Sequence, residues 1–158
     1  MKTDLDFNRI SSAIRDLPLP RVDLVIGIAR GGIVPASLVA YRLGCELLVL
    51  PINYRDDENH PRHDRPQVGG TVRIPDGVRS ILLVDDVSVS GATLDAARET
   101  LGSYEVTTMV LKGSADIVAF PDINTCVNWP WNVHVSMNGR AAAHLSSKPQ
   151  NHSKIVKP

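Results

Sequence analysis

Short apolar runs that stop at glycine or at a charge, each followed by a helical rhythm, limit what this chain can fold into more than any other feature of its sequence. Val22 to Ile28 is nearly continuous in apolar residues, the pattern of a strand buried on both faces, and it stops at Ala29-Arg30-Gly31-Gly32. Pro35 then falls where the first turn of a helix tolerates it, and Ala36 to Leu43 continues as a helix closed by Gly44. The theme recurs. Glu46 to Asn53 reads as a second strand, and Ser80 to Asp86 as a third whose apolar stem ends in two carboxylates. Ser88 to Thr93 is a small-residue turn opening a helix from Leu94 to Leu101, and Glu105 to Leu111 is a fourth strand that ends at Lys112. Ahead of them, Asp4 to Leu17 spaces Phe7, Ile10, Ile14 and Leu17 three and four apart, one face of a helix that Pro18 and Pro20 end. Short extended pieces follow around Cys126 to Trp129 and Val133 to Val135. Strands alternating with helices predict an α/β fold, a central, mostly parallel sheet flanked by helices on both faces. In such sheets ligands sit at the carboxyl ends of the strands.

The chain has 158 residues, 43% of them hydrophobic, which is the size and content of one domain with a single core. Charge is balanced overall but not locally: no acid follows Asp122, so residues 1–122 carry a net −4 and the rest +4. Overall charge gives no argument for a polyanion-binding surface, and four tail cations are too few to favour nucleic acid over plain solubility. Residues 1–139 are expected to form the domain and residues 140–158 a basic, disordered tail. Tyr54 to Gly70, mixed in charge and without apolar periodicity, reads as a mobile loop. His60 and His63 within it could suggest a metal site, but Pro61 and Pro66 argue against the helix that would align them, so solvated histidines are expected. Cys45 and Cys126 stand far apart and outside any CxxC pair, which fits a reducing compartment better than a disulfide framework. No apolar run reaches the roughly 20 residues that span a bilayer, and MKTDLDF has no signal-peptide core, so a soluble, unprocessed cytoplasmic protein is expected.

The strand ends carry the chemistry. Ser88, Ser90, Gly91, Ala92 and Thr93 let backbone N–H groups converge at a helix N-terminus, a geometry that binds phosphate, and the hydroxyls add donors. Asp85 and Asp86 stand just before, where a strand gives way to a turn and both side chains can reach one ligand. Carboxylates suit vicinal sugar hydroxyls and Mg2+. A lone Asp-Asp could merely cap the next helix; with the phosphate-type turn attached, a sugar phosphate satisfies both features together.

The stretch ILLVDDVSVSGAT, Ile81 to Thr93, resembles the 5-phosphoribosyl 1-diphosphate (PRPP) motif of type I phosphoribosyltransferases. VIGIARGGIVPASLVAYRLG, Val25 to Gly44, is similar to the pyrophosphate loop and following helix of the bacterial xanthine-guanine branch. TTMVLK, Thr107 to Lys112, looks like the strand with the purine-contacting lysine, and FPDINTCVNWPW like a C-terminal hood spanning about 113–136. The resemblance implies the type I phosphoribosyltransferase fold and transfer of ribose 5-phosphate from PRPP to a base nitrogen, most naturally a 6-oxopurine in purine salvage, with pyrophosphate released. By that resemblance Asp85 and Asp86 hold the ribose hydroxyls, directly or through Mg2+, and Ser88, Val89, Ser90, Gly91, Ala92 and Thr93 grip the 5′-phosphate. Ala29, Arg30, Gly31 and Gly32 meet the leaving pyrophosphate, with Arg30 catalytic beside the two acids, and the bond before the arginine is often cis in this family. Lys112, Cys126 and Val127 fall on base-binding positions, and Tyr54, Arg55, Arg62 and Arg65 on a flexible loop, about 54–70, that closes over the site. Relatives are commonly dimers or tetramers, and a homodimer is what the resemblance leads one to expect.

The chain departs from the family's pattern on the base side. Val89 stands where the 6-oxopurine enzymes carry an acid, and Cys126 where an aromatic ring usually stacks on the purine, although Trp129 and Trp131 lie close enough to substitute. Three readings stay open at this point: a 6-oxopurine phosphoribosyltransferase, the same enzyme class with another acceptor, and a PRPP- or nucleotide-binding regulator without turnover.

Overall fold

The protein is described from a computed structural model, which covers residues 1–53 and 63–132. Its elements in chain order are β1 (Thr3–Asp4), α1 (Phe7–Asp16), β2 (Leu24–Ala29), α2 (Ile33–Leu43), β3 (Glu46–Asn53), β4 (Gln67–Val68), β5 (Ser80–Ser88), α3 (Ala92–Leu101), β6 (Glu105–Gly113), β7 (Ile117–Val118) and β8 (Val127–Asn128). Six strands form the main sheet in the order β4-β3-β2-β5-β6-β7, and β1 with β8 forms a small separate one. Every pairing in the main sheet is parallel except β3 with β4.

The apolar runs become the middle of the sheet because they have helices on both sides. On one face α1 and α2 bury Ile10, Ile14, Ala36 and Val39 against Val25, Leu82, Val84, Met109 and Leu111. On the other, α3 buries Leu94, Ala97 and Leu101 against Ile26, Ile28, Ile81 and Leu83. Adjacent residues of one strand thus serve opposite cores, which is why these strands lack polar alternation. At the opposite end from the site, the Asp23 carboxylate accepts from the Arg79 N–H and from the Ser80 N–H and hydroxyl at 2.9–3.0 Å, which ties the starts of β2 and β5 together. These bonds hold the Asp23 carboxyl below its ordinary range.

Several expectations need correction. Asp4 is in β1, not in the first helix, which begins after Asp6 caps it through a 2.8 Å bond from the Arg9 N–H. Phe7, expected on the buried face, is 50% exposed and leans on Trp131 with ring centroids 6.0 Å apart. Leu5 takes the core position instead. The end of the predicted loop is ordered: Gln67 and Val68 pair antiparallel with Asn53 and Ile52. β5 runs two residues past Asp86, and α2 and α3 each start earlier than predicted, at Ile33 and Ala92. The segment assigned to the hood is split, because β7 joins the edge of the main sheet while only β8 pairs elsewhere. Val133 to Val135 and the tail, 140–158, lie outside the described residues.

Candidate functional site

The ends of β2, β5 and β6 meet along one edge of the sheet. β2 stops at Ala29, and the Ala29–Arg30 bond is a non-proline cis peptide. The chain then turns through Gly31 into α2, with the Gly32 N–H donating to the Ile28 carbonyl at 2.8 Å. This turn touches the acids. A Cβ on Gly31 would stand 2.5 Å from Cγ and 2.7 Å from Oδ2 of Asp86, inside the carboxylate, so only glycine allows the approach. Two motifs more than fifty residues apart in sequence therefore meet here, and Arg30, next to Gly31, is exposed.

Asp85 and Asp86 lie within β5, which continues two residues beyond them. Asp85 is 8% exposed and its carboxylate accepts from the Asp86 N–H at 2.9 Å. Burial, followed by the charge of Asp86, holds the Asp85 carboxyl well above the usual carboxylate range. Asp86 is raised as well, chiefly by burial. Two acids so destabilised as anions need a cation or hydrogen-bond donors to stay charged. Among the described residues no cluster of three or more metal-ligating side chains exists, so Mg2+ here would complete its shell with water and ligand oxygens, as it commonly does. The donor set fits that ion.

The turn after β5 is built as a phosphate site would be. Gly91 precedes α3 with φ +79° and brings no side chain to cap the helix. The first-turn N–H groups of α3 thus receive no bond from the cap residue, and that of Ala92 donates to the Ser90 hydroxyl over a long 3.5 Å. Ser90 is exposed, Thr93 is half-buried, and Val89 projects into solvent at 62% exposure. Ser88 belongs to the strand instead of the turn: it is 6% exposed, and its hydroxyl has no hydrogen-bond partner among the described residues.

On the base side, β5 and β6 stay in register to their ends, Val87 opposite Lys112 and Ser88 opposite Gly113. Gly113, at φ +109°, lies so close to Ser88 that a Cβ would stand 2.8 Å from its carbonyl carbon and overlap the oxygen. The Ser114 N–H donates to the same carbonyl at 3.1 Å. Half-buried Lys112 is the register neighbour of Val87, and Val87 packs on the same core cluster as Val127. Val87 was not predicted; its signal was an apolar residue directly after two acids in an otherwise polar segment. Cys126 is exposed. Trp129 and Trp131 do not replace it as open stacking partners: Trp129 is 5% exposed, and the two rings stack on each other at 5.3 Å and 2° as part of the core.

Of the predicted loop residues, Tyr54, Arg55 and Arg62 lie outside the described residues, as does His60. Arg65 and His63 are exposed and, with Asp64 and Gln67, line a concavity of about 540 Å3 at the edge strand β4, away from the acids. Among the described residues no helix is long and apolar enough to cross a membrane.

Comparison with known proteins agrees with this geometry. The profile of the phosphoribosyl transferase domain matches residues 8–118. The xanthine-guanine phosphoribosyltransferase of Idiomarina loihiensis is 29% identical over 128 residues, 78% of this chain and 79% of that protein. Among solved structures, the purine phosphoribosyltransferase of Pyrococcus horikoshii superposes with a TM-score of 0.64 at 25% identity, covering 82% of this chain and 93% of the other. The Helicobacter pylori xanthine-guanine-hypoxanthine enzyme shares the fold with a TM-score of 0.65 at 16% identity, over 84% of this chain and 95% of that one. The chain belongs to the phosphoribosyltransferase family and is a pentosyltransferase.

Proposed function

We propose that this enzyme transfers ribose 5-phosphate from PRPP to a ring nitrogen of a 6-oxopurine, xanthine, guanine or hypoxanthine, and releases pyrophosphate, as a step of purine salvage. The observation that carries this reading is the contact between Gly31 and the Asp86 carboxylate, which sets the proposed pyrophosphate turn against the proposed ribose acids. The xanthine-guanine relative supports the acceptor class.

In this reading the C1′–oxygen bond breaks, its electron pair leaves with pyrophosphate, and the acceptor nitrogen closes on C1′ while its proton passes to solvent or another group. Developing positive charge on the sugar and negative charge on the leaving group make electrostatic placement the main catalytic demand. Asp85 and Asp86 orient the ribose hydroxyls. The α3 N-terminus, with Ser90 and Thr93, holds the 5′-phosphate. Arg30 and the backbone of Gly31 and Gly32 receive the pyrophosphate, and Lys112 donates to a carbonyl of the base against the apolar wall of Val87 and Val127. Mg2+, when bound by the acids and the substrate's own oxygens, would neutralise charge on the pyrophosphate.

Pyrophosphate release measured with PRPP, Mg2+ and a panel of xanthine, guanine, hypoxanthine, adenine, uracil and orotate tests the assignment. Turnover on the first three supports it. Exposed Val89 offers no proton acceptor, which favours a second reading, the same transfer to a different acceptor, and turnover confined to the last three bases would select it. Arg30→Ala is expected to lower kcat by about 10²-fold, the usual scale for removing one charge-stabilising donor, while the affinity for product nucleoside monophosphate changes less than about threefold. Equal losses of the two would show that the two anion sites are placed wrongly. Light scattering in solution checks the homodimer expected from the resemblance.

A further inference from the structure

The first strand of the chain is fastened to the last described one. Thr3 and Asp4 pair in parallel with Val127 and Asn128, and β8 has no other strand neighbour among the described residues. The Thr3 N–H donates to the Cys126 carbonyl at 2.8 Å, and the Leu5 N–H to the Asn128 carbonyl at 3.4 Å. The side chains repeat the pairing: the hydroxyls of Thr3 and Thr125 are 2.5 Å apart, and the Asn128 amide donates to Asp4 Oδ1 at 2.7 Å. Each strand of the pair is followed by a core residue, Leu5 after β1 and Trp129 after β8. Leu5 is 3% exposed in the core, and Asp6 caps α1, whose Ile10 and Ile14 are buried beside it. After the Phe120 N–H, bonded to the Leu111 carbonyl at 2.8 Å, β8 is therefore held from two sides, by the hydrogen bonds of β1 on its edge and by Ile123, Val127 and Trp129 against the core.

We propose that Asp4 is a positioning residue for the acceptor base: through Asn128 it sets where Cys126 and Val127 stand, so that recognition at one end of the chain depends on the other. This rests on the reading of Cys126 and Val127 as base-side residues. It separates the two substrates, because among the described residues β1 pairs with β8 and with no strand of the main sheet, whose ends carry the proposed PRPP site. It also gives the pair a polarity, with a carboxylate that can only accept facing an amide that donates.

The test is a double-variant cycle read by KM for guanine, KM for PRPP and the affinity for guanosine 5′-monophosphate. Asn128→Asp sets two carboxylates against each other, and KM for guanine is expected to rise about tenfold with KM for PRPP within twofold. Asp4→Asn with Asn128→Asp reverses the donor and acceptor and is expected to restore wild-type KM, which a loss of general stability would not do. The milder Asp4→Ala should raise KM for guanine about threefold without charge repulsion. Unchanged guanine KM in Asn128→Asp, equal rises in both KM values, or failure of the reversed pair to restore would overturn the proposal. If the wild-type protein binds PRPP but neither guanine nor guanosine 5′-monophosphate, the assignment of the base side fails, and this role for Asp4 fails with it; that outcome is told apart because it appears before any variant is made.

Discussion

Asp85→Asn together with Asp86→Asn is expected to lower kcat/KM for PRPP by at least about 10³-fold, and at the same time to raise the melting temperature of the ligand-free protein near pH 8 by several degrees. The two effects have one cause. Both carboxyls are held above their ordinary range, Asp85 by burial and then by its neighbour's charge, Asp86 by burial. A carboxyl raised in the folded state binds its proton more tightly there than in the unfolded chain. Its stabilising contribution is fully present below the unfolded carboxylate pKa and disappears as pH rises through the folded value. As pH rises the wild-type protein must therefore ionise two buried acids at a cost in stability unless a ligand compensates them, whereas asparagine keeps the shape and carries no charge. An asparagine in place of Asp85 still offers a carbonyl oxygen to the N–H of the next residue, so the bond within the strand end survives. Melts from about pH 4 to 8, with and without Mg2+ and PRPP, check this. The wild type should lose stability as pH rises and regain it on adding both ligands, while the double variant should be flat and unresponsive. Wild-type PRPP affinity in that variant, or a lower melting temperature near pH 8, would contradict the assignment of these acids.

The second large effect is expected at Gly31. A methyl group there would sit inside the Asp86 carboxylate, 2.5 Å from Cγ, and the group that must yield is the end of a side chain. The fold should survive and the acid should swing away, so activity should fall by about 10²-fold, the scale of an ångström-sized misplacement, with a melting temperature close to that of the wild type. Gly32→Ala is the contrast. Its Cβ would meet backbone, 2.7 Å from the Ile28 carbonyl oxygen and 2.9 Å from the Ile28 nitrogen, and would overlap the Val84 carbonyl. Backbone at the sheet's centre cannot swing, and a destabilisation of about 2 kcal/mol or more is expected. Kinetics and thermal melts on the pair separate a site effect from a fold effect. Wild-type kcat/KM in Gly31→Ala would show that the contact with Asp86 has no catalytic consequence.

These two neighbours illustrate what could be read in advance. The glycines, the acids and the small-residue turn stood out because backbone chemistry is local: turns need glycine, phosphate turns need small residues, and strands buried on both faces run without polar alternation. The β2–α2 and β5–α3 units were legible for that reason. Boundaries slipped where tertiary contacts extended an element, as β5 continues through Ser88 because β6 keeps pairing with it to Gly113. β4 could not be seen, since Gln67 and Val68 are extended only against Asn53 and Ile52. The tryptophans could be counted but not assigned, because whether an indole stacks on a ligand or on its neighbour depends on what surrounds it.

The sequence by itself determined the class of fold, the order of its units and the chemical character of the strand ends, all properties of residues within a turn or two of one another. Only the tertiary structure decided that Gly31 abuts Asp86, that Val87 stands beside Lys112, and that Thr3 and Asp4 hold Val127 and Asn128. Contacts between distant segments depend on how whole elements pack around a shared core, and no local pattern of residues encodes that distance.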